Sequence, residues 1–253
     1  MVSTRIIPAL LLKNAGLVKT IRFKDPKYIG DPINAVRIFN DKGADELILL
    51  DILATREKKE PDLKKISNIA SECFMPFAYG GGIRTIEQAQ KILALGSEKV
   101  IVNSYALENP EFVCTLSGKF GSQSIVISID SRKDLLGRYR VWSHGGTRNT
   151  GIDPVAYAKK MEASGAGEIF LNSIDRDGTM KGYDLELIKQ VSSEISIPVV
   201  ACGGAGTIED FGNAISYGAS AVAAGSFFVF QGPHRAVMIT YPEPDVLNVV
   251  SRK

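Results

Sequence analysis

Two glycine clusters stand in matching surroundings: Gly80-Gly81-Gly82 after an apolar run at 76–79, and Gly203-Gly204-Ala205-Gly206 after one at 198–201. Thr-Ile-Glu follows soon after each cluster, at 85–87 and 207–209, and opens a helix. Glycines ahead of a helix N-terminus either make tight turns or let backbone N–H groups approach an anion. Asn103-Ser104 and Gly225-Ser226 end two further runs in the same relation. The doubled arrangement predicts two phosphate sites. Gly81, Gly82, Asn103 and Ser104 would form one; Gly203, Gly204, Gly225 and Ser226, with Asp177, would form the other. The ligand would then carry a phosphate at each end. Asp130 closes the run SIVISID, where burial would tune a carboxylate as general acid or base unless it only caps the strand. Asp51 closes another run, and Asp175 and Asp177 follow a third, where Asp175 and Arg176 read equally well as a loop ion pair.

The elements that must position these groups are short and regular. Strands are expected at 5–12, 46–51, 76–79, 99–103, 124–130, 168–172, 198–201 and 221–224. Their near-continuous apolar character is that of strands buried on both faces. Helices fall between them, opened by Asp31-Pro32, Thr85, Asn109-Pro110, Asp153-Pro154 and Thr207, with Gly43, Gly96 and Gly218 at helix ends. Strand–helix alternation predicts a parallel sheet, either doubly wound and open or closed into a barrel. An internal repeat favours closure: residues 76–106 lie over 198–228 at a constant offset of 122 positions. The chain therefore reads as one α/β domain over 1–253, a (β/α)8 TIM barrel with half-barrels at about 1–120 and 121–245. At a slightly different offset RIIPALLL lies over SIVISIDS, which makes Leu11 the mate of Asp130. Segment 131–151 reads as a small hairpin over the mouth. The basic cluster Lys13, Lys19, Arg22, Lys24 and Lys27 reads as a loop, either solvated or closing over an anionic ligand. The end of the chain, after Pro242 and Pro244, is too broken for a long helix.

At the opposite mouth Arg5, Glu46, Lys99 and Glu168 each begin a strand. Four charges of both signs there would meet on the barrel axis, as an ionic plug or as a gate for a small polar molecule. A net charge of +2 argues against a nucleic-acid partner, and no apolar run is long enough to span a membrane. Three dispersed cysteines, Cys73, Cys114 and Cys202, have no metal-ligand spacing and read as buried, reduced thiols of a cytoplasmic protein. No cofactor and no metal are expected.

These residues resemble the cyclase subunit of imidazole glycerol phosphate synthase over nearly the whole chain. The carrying motifs are RIIP at 5–8, GDP at 30–32, DEL at 45–47, LDI at 50–52, GGGI at 80–83, FGSQ at 120–123, NTGI at 149–152, GAGEI at 165–169, SIDRDGT at 173–179 and GGAG at 203–206. The resemblance implies a glutaminase subunit docked at the N-terminal face. Its ammonia would pass a gate made by Arg5, Glu46, Lys99 and Glu168 and react at the far mouth with a bis-phosphorylated ribonucleotide. Products would be imidazole glycerol phosphate and the aminoimidazole carboxamide ribotide. Asp130 corresponds to one of two catalytic aspartates; the other falls on Leu11, in ALLLK where family enzymes read CLDVK. Asn172 stands where threonine is usual. LLLKNAGLVKT, GDPINAVRIFN, ECFMPFAYGGGI and FVFQGPHRAVMITYP look like a paralogous branch from surface-polysaccharide gene clusters. That branch implies ammonia relayed to an N-acetyl sugar amidotransferase in O-antigen or related glycan synthesis. A working cyclase–lyase of histidine biosynthesis is the alternative, and a scaffold without catalysis or conduction the third reading.

Overall fold

The computed structural model describes residues 4–243; the expectation for the chain beyond Pro244 lies outside them. Eight parallel strands close on themselves: β1 (Arg5–Lys13), β2 (Leu47–Asp51), β3 (Phe77–Gly80), β4 (Lys99–Val102), β5 (Ile125–Lys133), β6 (Glu168–Ser173), β7 (Val199–Cys202) and β8 (Ala221–Ala224). Each pairs with the next, and β8 pairs back to β1 through Arg5↔Ala221 to Pro8↔Ala224. The fold is a single (β/α)8 barrel, as the repeat predicts. No described helix is long and apolar enough to cross a membrane.

Side chains alternate across each strand. On β1, Ile6, Leu10 and Leu12 pack outward against the helices, whereas Ile7 and Ala9 point to the axis. The axial layer is small: Ile7, Ala9, Ile48, Ala78, Ile101, Val126, Phe170, Val200, Ala221 and Ala223. The same alternation sets Arg5 at one end of β1's inner face and Leu11 at the other. Strand registers repeat with the sequence: Leu11 lies opposite Leu50 on β1 and β2, and Asp130 lies opposite Asn172 on β5 and β6.

Helix starts follow their caps. Asp31 accepts from Asn34 N, Asp153 from Val155 and Ala156 N, and Thr85 forms a reciprocal box with Gln88. Asn109-Pro110 departs from this pattern. Pro110 is itself the N-cap in helical geometry, and Asn109 ends the preceding short helix Ser104–Glu108. Segment 131–151 forms the expected hairpin and adds a third short strand: β5 continues to Lys133, turns, and pairs antiparallel with Tyr139–Ser143, which pairs with Arg148–Asn149.

Three expectations need correction. Residues 13–27 are not a loop: Gly16–Ile21 pairs antiparallel with β1 and with Lys24–Gly30. Cys114 is exposed, because the helix Glu111–Phe120 buries Phe112, Val113 and Leu116 on its other face. Asp175 does not pair with Arg176 but with Arg132, at 3.4 Å; Arg176 donates to Lys181 O.

Candidate functional site

A cavity opens at the C-terminal ends of the strands, lined by both glycine clusters, Asn103, Ser104, Asp130, Asp177, Lys19 and Ser226. The structure thus gathers most of the residues expected at this mouth, but Gly206 and Asp175 do not line the cavity.

The two turns have the same geometry. Gly81 and Gly82 have φ of +126° and +74°, Gly203 and Gly204 of +92° and +113°. A side chain at Gly81 would press 2.6 Å from Asp51 O, and one at Gly203 2.7 Å from Ser173 O. Only glycine fits, on both counts. Among the described residues the backbone N–H groups of Gly82, Ile83, Gly204 and Ala205, all of which line the cavity, meet no protein acceptor.

Asp130 is buried, 8% exposed. Its Oδ2 accepts from Asn103 Nδ2 at 3.0 Å. Burial pushes its pKa to about 7, with the Asp177 charge adding to the rise and Asn103 opposing it. A carboxyl group poised there can hold or release a proton near neutrality. Asn172, across the strand pair, keeps a buried Oδ1 with no partner in the structure.

The Asn103 and Ser104 side chains are already committed. Asn103 Nδ2 also lies 3.1 Å from Ser128 O and 3.2 Å from Ser128 Oγ. Ser104 Oγ donates to Asn103 Oδ1 at 3.1 Å and accepts from His144 N at 2.9 Å. A hydroxyl has one proton to give, so Ser104 can meet an anion only through its backbone. The chain His144–Ser104–Asn103–Asp130 instead ties the meander to the carboxylate. Among the described residues Ser226 makes no such side-chain bonds, which leaves its hydroxyl to meet a ligand.

Lys19 is the residue whose setting the sequence concealed. Its strand carries it inside, 6% exposed, where Nζ donates to Ala9 O. Burial lowers its pKa to about 8, and Asp177 holds it up. Asp177 accepts from Thr20 Oγ1 at 2.8 Å and Phe23 N at 3.3 Å, and burial raises its pKa. Its carboxylate therefore faces the hairpin and offers an anion no proton from a side-chain donor. Cys202 closes this group, its thiol pushed by burial up to about 12 and so kept protonated. Asp51 accepts from the Leu53 and Ala54 N–H groups through Oδ1.

A measurable consequence attaches to Asp130. Its folded pKa lies above the unfolded value, so it disfavours the native state increasingly as pH rises from about 4 to about 7. Asp130→Asn removes that cost. The variant is expected to gain about 2–3 kcal/mol more stability, relative to the native chain, at pH 8 than at pH 5. Chemical denaturation at both pH values measures it; an equal effect at each would mean that Asp130 ionises normally.

At the opposite mouth the four charges do meet. Arg5 pairs with both Glu46 and Glu168, and Lys99 reaches the same two carboxylates at 3.0 Å each. Burial works against the Arg5 charge, but Glu168 and then Glu46 outweigh it and raise its pKa. The result is a closed ring in the order Arg5, Glu46, Lys99, Glu168, beneath the apolar layer and in line with the mouth above. Among the described residues no group of His, Cys, Asp and Glu side chains could hold a metal.

Residues 5–234 match the family model described as "Histidine biosynthesis protein". The chain belongs to that family. Within it the similarity is to HisF subunits. A Pseudomonas aeruginosa protein named "Putative imidazole glycerol phosphate synthase subunit hisF2" is 54% identical over 250 residues, covering 98% of this chain and 100% of that one. A Vibrio vulnificus protein whose name differs only in ending hisF3 is 47% identical over 246 residues, 96% of this chain and 95% of its own. The "Imidazole glycerol phosphate synthase subunit HisF" of Endomicrobium trichonymphae is 45% identical over 231 residues, 91% and 89% of the two chains. This chain is thus a HisF-type barrel of the family.

Proposed function

We propose that this HisF-type barrel conducts ammonia and has given up the cyclase chemistry. A glutaminase subunit would dock at the N-terminal mouth. Its ammonia would pass the ring of Arg5, Glu46, Lys99 and Glu168, cross the apolar layer, and leave at the other mouth. An N-acetyl sugar amidotransferase of O-antigen or surface-glycan synthesis would receive it there. One observation carries the reading: the strand registers set Leu11 in the place that mirrors Asp130, while the charged ring is complete. Leucine exchanges no protons, so the site keeps one of two facing carboxylates. The numbered names hisF2 and hisF3 fit additional copies beside a first one. On this reading Gly81, Gly82, Gly203, Gly204, Gly225 and Ser226, with the backbone at Ser104, retain a grip on phosphate; Asp177, whose N–H donates to Ser173 O, adds no donor.

The second reading is an active cyclase–lyase that forms imidazole glycerol phosphate and the aminoimidazole carboxamide ribotide. It is favoured by the setting of Asp130, which is tuned to about 7 as an acid–base group should be. The two separate in one assay: turnover of the bis-phosphorylated ribonucleotide with excess ammonium salt and no glutaminase. Conduction without cyclisation predicts turnover about 10²–10⁴-fold below that of a two-aspartate cyclase subunit measured alongside. Equal turnover would overturn it.

A further inference from the structure

The two ends of the mouth share a backbone but not a charge. Arg56 and Arg84 both line the cavity on the side of Gly81 and Gly82. At the 122-residue spacing of the repeat they correspond to Gly178 and Gly206. A side chain at Gly178 would collide with Thr20 O, and one at Gly206 with Met180 O. The hairpin strand and the loop after β6 fill the space, so no side chain can project from either position; Arg235, which donates to Gly178 O, does not line the cavity. That end holds the buried Lys19, with the Asp177 carboxylate beside it.

Neither arginine is neutralised. Among the described residues neither pairs with a carboxylate, and neither guanidinium donates a hydrogen bond. Asp51, which lines the same cavity, accepts from the Leu53 and Ala54 N–H groups through Oδ1 and, among the described residues, forms no ion pair with either arginine. Arg84 sits over the Tyr105 ring at 5.9 Å, and the exposed Arg56 lies on the side of Gly145 in the meander. Two unpaired guanidiniums beside free N–H groups suit a dianion better than a monoanion.

We propose that Arg56 and Arg84 clamp a dianionic phosphate monoester above Gly81 and Gly82, so that the mouth takes a phosphorylated ligand in one direction only. The more highly charged end lies under the guanidiniums, and the other end meets Ser226 and the Gly204–Ala205 backbone. This rests on the reading of the glycine turns as anion cradles.

Calorimetric titration of the full chain with inorganic phosphate at pH 8 tests it. Arg56→Ala and Arg84→Ala are each expected to weaken binding about tenfold, the scale of one charge-assisted hydrogen bond. Arg84→Lys, which keeps the charge and the fold but not the fork, should lose less. Lys58→Ala removes one charge from the same loop outside the cavity and should change binding less than about twofold, as expected of a screened surface charge. Arginine variants no weaker than Lys58→Ala, with phosphate still bound, would overturn the clamp and leave the cradles standing. No saturable phosphate binding by the native chain would remove the cradle reading and the clamp with it.

Discussion

Leu11→Asp is expected to raise ammonium-driven turnover of the bis-phosphorylated ribonucleotide by about 10²–10⁴-fold, the range for a positioned acid or base. The position is ready for a carboxylate in all but the side chain. Asp130 has Asn103 as its donor; the mate of Asn103 is Gly225, whose missing side chain leaves room for the Lys19 ammonium. Restoring an aspartate at 11 therefore places it in a cavity that already holds a cation, which offsets the desolvation a lone buried carboxylate would suffer. Both phosphate turns and Asp130 stay as they are. A variant that folds as the native chain does, binds phosphate and still shows no gain would mean that the site has lost more than one carboxylate.

Lys99→Ala is expected to act at the other end and on another quantity. The substitution opens the ring and leaves Glu46 and Glu168 with Arg5 alone. With the glutaminase and the acceptor enzyme present, glutamine-driven nitrogen transfer should fall about tenfold, the effect of some 1.4 kcal/mol on passage. Transfer driven by added ammonium salt should not change, because it enters from the far mouth. Stability should drop by at most about 3 kcal/mol, the low end for breaking a buried pair, since Arg5 still balances the carboxylates. Unchanged glutamine-driven transfer would favour a scaffold with no conducting role.

Much of this barrel is legible in its sequence because strands buried on both faces leave unbroken apolar runs. The eight runs fall within a few residues of β1–β8. The glycine turns were legible because they occur twice. The hairpin at 16–30 was not: Lys19, Lys24 and Lys27 give it the look of a solvated loop, and residues 24–28 are in fact exposed. Pairing with β1 decided its structure, and that pairing is long-range. The burial of Lys19 was hidden for the same reason. The use of Ser104 within the protein could not be seen either, since its partner His144 lies 40 residues away. Arg56 and Arg84 carried a signal that only comparison of the halves reveals, an arginine in one repeat where the other has glycine.

The closed order of the four charges at the N-terminal mouth has an electrical consequence. Two cations and two anions in alternation sum to zero, and with like charges on opposite corners the dipole cancels too. What remains is a quadrupole, whose potential dies away faster with distance than that of an ion or a dipole. Such a ring neither draws ammonium towards the barrel nor repels it from afar. The discrimination falls to dehydration: an ion must shed water at a cost of several kcal/mol to enter the apolar layer beyond, whereas an uncharged molecule gives up only its hydrogen bonds. In the conducting role proposed above, the ring would sort solutes by hydration rather than by sign, with little sensitivity to ionic strength.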